Sequence, residues 1–242
     1  MQVRYLIKFT KEGNIKFISH LDLMRSIQRV ILRSELDVEY SKGFHPHMAL
    51  SIAQPLSVGI SSVGEYMDLV LKNPMDEKEI IERLNQNTLV GVRFLEAKGI
   101  EVIPNTKKVP QSMAMVDQAV YTIKIKYTDI KSAEEEFKEL LGKDEWIITK
   151  KNKKGEEKSV NIRPFIKDIK YWVKDDYLVL NTRISCGSRE HLNTESFVNY
   201  IKENTPNVNN EAFVDINREE MYAEIDGKLL PLYKVKLDSG GV

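Results

Sequence analysis

Residues 19–36 read SHLDLMRSIQRVILRSEL, and this stretch predicts the helix around which the fold is built. Ser19 followed by Asp22 is typical of a capping-box-like start, in which side chains bond the first free backbone N–H groups. Apolar side chains then recur at helical spacing and give one broad face for burial; they are Leu23, Met24, Ile27, Val30 and Ile31. A helix with one apolar face needs a sheet or another helix to pack against.

Segments with strand-like alternation lie on both sides of this helix. They are VRYLIKF (3–9), IKFIS (15–19), VEYS (38–41), HMALSIA (47–53), GEYMDLVL (64–71) and VRFLEAKGIEV (92–102). DEKEIIERLNQNT (76–88) predicts a second helix, because acidic residues favour a helix N-terminus and three apolar residues follow at helical spacing. The main order of strand, helix, two strands, helix and strand is typical of the ferredoxin-like split βαβ plan, an antiparallel sheet with both helices on one face.

The pattern restarts in the second half of the chain. Residues 104–118, PNTKKVPQSMAMVDQ, contain two prolines and no clear period, so we interpret them as a linker. Strand-like alternation returns at 119–128, and helical segments follow at 132–143 and 194–204. We therefore predict an α+β protein with two ferredoxin-like domains in tandem, residues 1–103 and 119–242. The two halves share no visible sequence similarity, so the duplication rests on topology alone.

The composition limits the classes of protein to which the chain can belong. Hydrophobic residues make up 42% and charged residues 30%, as in a globular protein. No apolar run could span a bilayer and no secretory signal opens the sequence, so we expect a cytoplasmic protein without a membrane partner. The single cysteine, Cys186, excludes a disulfide within the chain and a thiolate metal cluster built by this chain alone. Basic and acidic residues both number 36, so any contact with nucleic acid must use a local basic surface.

Arginines provide the first candidate binding residues. Arg25, Arg29 and Arg33 are four residues apart and form one stripe on the predicted first helix. Guanidinium groups suit phosphate oxygens, so the stripe is a candidate phosphate contact; the alternative is a solvated helix face paired with nearby acids. Arg163, before Pro164 in SVNIRPFI, is a further candidate, and its alternative role is a salt bridge that fixes a turn.

Histidines provide the second set of candidates. Residues 40–56, YSKGFHPHMALSIAQPL, contain His45 and His47, and His20 precedes them on the predicted helix. A metal site is the least favoured interpretation, because neither HExxH nor CxxC spacing occurs, and we predict no metal and no cofactor. His20 or His47 could act as a general acid or base. The segment could instead recognise a ligand, or be a turn that packs Phe44.

The sequence from 17 to 71, and SVNIRPFI at 159–166, resemble a known family. The patterns FISHLDLMR, YSKGFHPH, PLSVG and GEYMDL are similar to those of the radical SAM-linked proteins, a bacterial family of unknown function, and the resemblance covers nearly the whole chain. It assigns no catalytic residues, and His45 sits where the family pattern is looser. The positions that match the pattern are Ser19, His20, Asp22, Arg25, Tyr40, Ser41, Gly43, Phe44, Pro46, His47, Gly64, Glu65, Asp68, Arg163 and Pro164.

The resemblance implies an accessory to a modification enzyme. Such proteins occur beside, or fused to, a radical SAM enzyme, and that enzyme needs three cysteines for its iron–sulfur cluster where this chain has one. We therefore expect the radical SAM enzyme to be a separately encoded partner, and RNA or an RNA-containing complex to be the ligand. The predicted binding residues are Arg25, Arg29, Tyr40, Lys42, Phe44, His45, His47 and Arg163. The alternatives are a histidine-dependent RNA-processing or RNA-modifying enzyme and a protein-docking module without nucleic acid.

Overall fold

The structure, a computed structural model, describes residues 2–100, 109–151, 155 and 157–235. The chain forms two compact units. The first contains Met1–Asp117 together with Arg218–Val242, and the second contains Gln118–Asn217. This division differs from the predicted domains, since the end of the chain belongs to the first unit and not to a second domain of residues 119–242. Within the first unit, a buried ion pair joins Arg218 of this last segment to Glu65.

Strands and helices alternate along both units. The strands are β1 Val3–Lys11, β2 Leu50–Ile52, β3 Ile60–Leu71, β4 Phe94–Ile100, β5 Gln118–Lys126, β6 Ile147–Lys151, β7 Glu157–Asn161, β8 Ile166–Lys174, β9 Tyr177–Ser185, β10 Asp215–Ile225 and β11 Lys228–Pro231. The helices are α1 His20–Arg33, α2 Glu77–Gln86, α3 Ser112–Met115, α4 Ile130–Leu141 and α5 Thr194–Asn204. Short 3-10 turns occupy Gly13–Phe17, Arg163–Phe165 and Leu232–Lys234. Among the residues described, no helix is long and apolar enough to cross a bilayer.

In the first unit, strands β1, β2, β3 and β4 pair antiparallel. Strand β1 lies between β4 and β3, and β2 also pairs with β3. The register places Ile7 beside Met67 and Tyr5 beside Leu69. These side chains are buried in one cluster with the apolar faces of α1 and α2. The C-terminal part of β10 neighbours β3, and β10 continues into β11 across the turn at Asp226 and Gly227, where the sequence predicts a hairpin.

Two predicted strands of the first unit differ from the structure. Residues 15–19 were expected to be extended, but Gly13–Phe17 is a 3-10 turn that begins at a left-handed glycine with φ +58°. The Gly59 N–H donates to the Lys16 carbonyl and holds this turn against a loop rather than a neighbouring strand. The segments 38–41 and 47–53 pair only through single bridges at Val38 and Tyr40 and through the three residues of β2.

The strands of the second unit also pair antiparallel. Strand β9 lies between β5 and β8, and β8 and β9 form the hairpin that the sequence predicts across Asp175 and Asp176. Strands β6 and β7 make a separate two-stranded sheet. Helix α4 packs on β8, where Phe137 meets Tyr171 edge to face. The buried Trp146 ring stacks on the rings of Phe197 and Tyr200, both on α5.

The mixed α+β class is confirmed, because helices and antiparallel sheets occur in both units. The tandem ferredoxin-like plan stays a prediction. Residues 104–108 of the predicted linker lie outside the described part of the chain. The remainder of that segment contains the four-residue helix α3 and the first residue of β5.

Candidate functional site

The segment from Tyr40 to Met48 is a loop closed at its base by the backbone. Tyr40 and Met48 form an antiparallel bridge. The Ser41 N–H donates to the His47 carbonyl at 2.8 Å, and the His47 N–H donates to Ser41 Oγ at 2.9 Å. These two hydrogen bonds fix the base of the loop. They also give Ser41, one of the positions of the family-like pattern, a structural role.

The tip of this loop projects its side chains into solvent. Phe44 is fully exposed, which is unusual for a phenylalanine, and it contradicts the interpretation of a turn that packs this ring. Lys42, His45 and His47 are also exposed. Gly43 has φ +135°, a conformation that side chains rarely adopt, so a glycine is needed to form the tip. We call Ser41–His47 the aromatic-basic loop.

The start of α1 shows the predicted capping arrangement. The Asp22 N–H donates to Ser19 Oγ at 3.2 Å, and Ser19 Oγ donates to Asp22 Oδ2 at 2.7 Å. Arg25 Nη1 lies 3.2 Å from Asp22 Oδ1, with 67% of the arginine side chain exposed. Arg25 therefore forms the solvated ion pair with a nearby acid that the alternative interpretation predicts. Such surface pairs contribute little to stability. Arg29 and Arg33 are exposed on the same helix.

The three N-terminal histidines have different surroundings. His20 is the first residue of α1 and is half-buried, and its Nδ1 atom is buried without a hydrogen-bond partner among the described residues. His45 and His47 share the aromatic-basic loop. Among the described residues, no hydrogen bond or ion pair joins His20 to that loop. Nor do those residues include a group of three or more His, Cys, Asp or Glu side chains placed to hold a metal ion.

Arg163 belongs to the second unit and has a packing role there. It begins a 3-10 turn, and its guanidinium carbon lies 5.9 Å from the centroid of the Trp146 ring. Asn161 Oδ1 accepts the backbone N–H groups of both residues at 3.0 Å. The turn is therefore fixed by a cation–π contact and an asparagine bridge, rather than by the salt bridge expected from the sequence.

A buried ionic cluster in the first unit was not predicted. The Arg218 guanidinium donates to both carboxylate oxygens of Glu65, with Nη2 2.6 Å from each, and both side chains are about 1% exposed. Arg218 Nη2 also donates to the Gln54 carbonyl at 2.8 Å. Lys11 is equally buried, and burial is the main cause that lowers its pKa, with Glu65 acting in the opposite direction. A buried charge requires such partners.

A second polar cluster surrounds Tyr66. Its hydroxyl donates to Glu220 Oε1 at 2.6 Å, and Lys8 Nζ donates to Glu220 Oε2 at 2.7 Å. Lys8 Nζ also lies 4.8 Å from the ring centroid of Tyr233. Burial first, and then the charge of Glu220, raise the pKa of Tyr66. Lys8, Tyr66, Tyr233 and Lys98 line part of a cavity of about 390 Å³.

Two further positions of the family-like pattern have structural explanations. Asp68 Oδ2 accepts both the N–H and the Oγ–H of Ser112, at 2.8 and 2.6 Å. Gly64 lies so close to β10 that an added Cβ would meet the carbonyl oxygen of Glu219 and the Cα of Glu220. The sequence feature that indicates these buried clusters is the pair of charges in GEYMDLVL. Glu65 and Asp68 interrupt an otherwise apolar strand, and each needs a partner when it is buried. Those partners are distant in the sequence, so only the fold identifies them.

The fold and these clusters define a class: an α+β protein with a buried ionic network and an exposed loop of aromatic and basic side chains. A family model described as "Uncharacterized protein conserved in bacteria (DUF2344)" matches residues 4–194. The chain belongs to this family. A comparison with curated proteins finds no match.

Two solved structures show a distant likeness. "Crystal Structure of an Unknown Protein from Galdieria sulphuraria" is 10% identical, with a TM-score of 0.27, and covers 90% of this chain and 98% of that chain. "Crystal structure of putative glycine cleavage system transcriptional repressor" is 8% identical, with a TM-score of 0.23 and the same coverage. At these TM-scores neither likeness bears on the fold or the function of this protein.

Proposed function

We propose that the protein recognises RNA, or an RNA-containing substrate, through the aromatic-basic loop and the exposed arginines of α1. The full exposure of Phe44 is the observation that carries the proposal. A phenyl ring held in solvent costs free energy unless a partner covers it, and an unpaired base is a suitable partner because it has a flat apolar face. Stacking of a base on an aromatic side chain is worth about 1–3 kcal/mol.

The charges beside Phe44 suit the same ligand. Lys42 and the imidazoles of His45 and His47 share its loop, so cations and hydrogen-bond donors lie next to the ring. Arg25 and Arg29 are exposed on α1 and are positioned one helical turn apart. In the proposed complex these side chains contact phosphates while Phe44 and Tyr40 stack with bases.

The proposed partner is a separately encoded radical SAM enzyme. The support is the sequence resemblance, together with the single cysteine, which cannot supply the three thiolates of a radical SAM cluster. In this proposal the chain acts in the cytoplasm, each unit follows the ferredoxin-like plan, and the chain delivers an RNA substrate to the enzyme without catalysing the reaction itself.

Truncation of the exposed ring tests the proposal. We expect Phe44→Ala to weaken binding of single-stranded RNA about tenfold, because one stacking contact is lost. Val90→Ala is the matched control, since Val90 is also an almost fully exposed apolar residue of the first unit. The measurement is fluorescence anisotropy of a labelled RNA purified with the native protein, with circular dichroism to verify folding. Charge reversal by Arg25→Glu and Arg29→Glu should lower both the affinity and its salt dependence, whereas Lys78→Glu on α2 should not.

Equal affinities for wild type, Phe44→Ala and the double arginine variant would sink the proposal. A protein-docking role would then be the better candidate, and one observation favours it. Phe17 and Val58 are more than half exposed, and the Gly59–Lys16 hydrogen bond connects the segments that carry them. Exposed apolar residues close to one another are typical of a protein interface.

A further inference from the structure

The sheet of the second unit has one face packed and one face lined with lysines and aromatic rings. Side chains alternate along each strand. Ile123, Ile125, Leu178 and Leu180 are buried, and Tyr171 faces α4. The alternate positions form the other face, which we call the lysine-aromatic face. Its members are Thr122, Lys124 and Lys126 on β5, Tyr177, Val179 and Asn181 on β9, and Lys170, Trp172 and Lys174 on β8.

A broad cavity of about 710 Å³ lies on this face. Val179 is buried at its base, and its lining includes Trp172, Tyr177 and Phe213. Trp172 is 45% exposed and Phe213 is 55% exposed. Large aromatic rings are seldom left this accessible, and a cavity of this size with aromatic lining is within the usual range for a ligand site of several hundred Å³.

The cations are placed beside the rings. Lys126 and Lys174 are the cross-strand neighbours of Tyr177 on its two sides. Lys126 Nζ lies 6.0 Å from the Tyr177 ring centroid, so it already contacts an aromatic surface. Lys124 Nζ lies 3.9 Å from Asp215 Oδ2. Asp175 is the other acidic residue that lines the cavity. Lysine remains in excess on this face, which favours an anionic ligand.

We propose that the lysine-aromatic face binds single-stranded RNA, with an unpaired base stacked on Trp172 and the adjoining phosphates on Lys126 and Lys174. Phosphates repeat along a strand while every base offers a flat face, so alternating cations and aromatic rings fit this polymer. A double helix hides its base faces and would lose the stacking contact. The choice of RNA over single-stranded DNA rests on the proposed function, but the face itself uses residues of the second unit that the proposed function does not use.

Tryptophan fluorescence gives a direct test of the stacking contact. The chain has two tryptophans, of which Trp146 is completely buried and Trp172 is exposed. We expect a short oligouridine to quench the emission of the wild-type protein and to leave that of Trp172→Phe nearly unchanged. Trp172→Ala should weaken binding about tenfold. Val173→Ala is the matched control, because Val173 is an exposed apolar residue of the same strand whose side chain points to the opposite face.

Charge reversal tests the phosphate contacts. The variant with Lys126→Glu and Lys174→Glu should reduce the slope of log affinity against log salt by about 1.4, since each phosphate contact to a single strand contributes about 0.7. Its control is Lys131→Glu with Lys138→Glu, the same change of charge on the exposed side of α4. A slope equal to that of the control would overturn the assignment of the two lysines.

The loop and the face give distinguishable outcomes when tested on the full chain. Weaker oligouridine binding by Trp172→Ala but not by Phe44→Ala supports the lysine-aromatic face and removes the loop as a site. The reverse result overturns the face and leaves the proposed function standing. Absence of binding by the wild-type protein overturns both. Equal affinity for oligouridine and its deoxy counterpart overturns the choice of RNA, and quenching by a double-stranded RNA of equal strength overturns the stacking geometry.

Discussion

Individual residues of the family-like pattern have two different roles. Glu65 and Asp68 stabilise the first unit through buried hydrogen bonds and an ion pair. Phe44 and His47 do not contribute to the core, because both are exposed on a loop. The sequence shows charged residues within an apolar strand and an aromatic residue within a polar loop. It cannot separate the two roles, because burial depends on which distant segment covers each position.

At the same scale, the phenol of Tyr66 contributes to the stability of the protein at alkaline pH. Burial and the neighbouring Glu220 raise the pKa of Tyr66 above the ordinary value of 10.0. The folded protein therefore holds this proton more tightly than the unfolded chain does. Its stabilising contribution is complete below about pH 10 and is lost as the pH rises above that value.

We expect Tyr66→Phe to be less stable than wild type at neutral pH, because Glu220 loses one of its hydrogen-bond donors. We also expect its free energy of unfolding to fall less steeply above about pH 10. Urea unfolding at a series of alkaline pH values measures both effects. Tyr127 and Tyr200 also have a raised pKa, but they are present in both proteins and cancel in the difference. Parallel alkaline declines for the two proteins would contradict the assignment to Tyr66.

Elements were predictable where one periodic pattern decided them. Helix α1 is found where helical spacing predicts it, and β3 includes the predicted strand 64–71 but begins earlier, at Ile60. Asp226-Gly227 forms the expected turn with both residues at positive φ. The strand predicted at residues 15–19 was wrong, because its few apolar residues fit either a strand or the 3-10 turn Gly13–Phe17 that the structure shows. The neighbour of β3 was also unpredictable, since β10 begins more than 140 residues further along the chain.

The close contact between β3 and β10 at Gly64 predicts that one added methyl group there strongly lowers the stability of the protein. In Gly64→Ala the new Cβ would lie against backbone atoms of Glu219 and Glu220, which cannot move as a flexible side chain would. We expect the two strands to separate locally and the free energy of unfolding to fall by about 1–3 kcal/mol, as for other overpacked cores.

Gly142→Ala is the control for this substitution. Gly142 has a right-handed backbone at the C-terminus of α4, and its nearest obstacle is the Glu139 carbonyl oxygen at 3.3 Å. We expect a change of less than about 1 kcal/mol there. Urea unfolding compares the two variants, and an equal loss of stability would show that the approach of β10 to Gly64 is not the cause.

At the scale of the whole molecule, the stability of the first unit depends on the last segment of the chain. Arg218–Val242 is the last segment of the sequence, but it belongs to the same unit as the first strand. The Glu65 carboxylate is buried there and has Arg218 as its bidentate partner. A charge left in such a position without a partner costs about 3–5 kcal/mol.

A chain that ends at Asn217 should therefore lose stability in the first unit more than in the second. Hydrogen exchange measures this difference by strand, and we expect the amides of β1 and β3 to lose more protection than those of β9. Arg218→Met in the full chain removes the ion pair without removing β10, so it should reproduce part of the same loss. Adding Glu65→Gln to Arg218→Met should restore some protection, because the uncompensated charge is then gone. If β9 instead loses as much protection as β3 in the shortened chain, the C-terminal segment does not act through the first unit, and the buried pair is not what places it there.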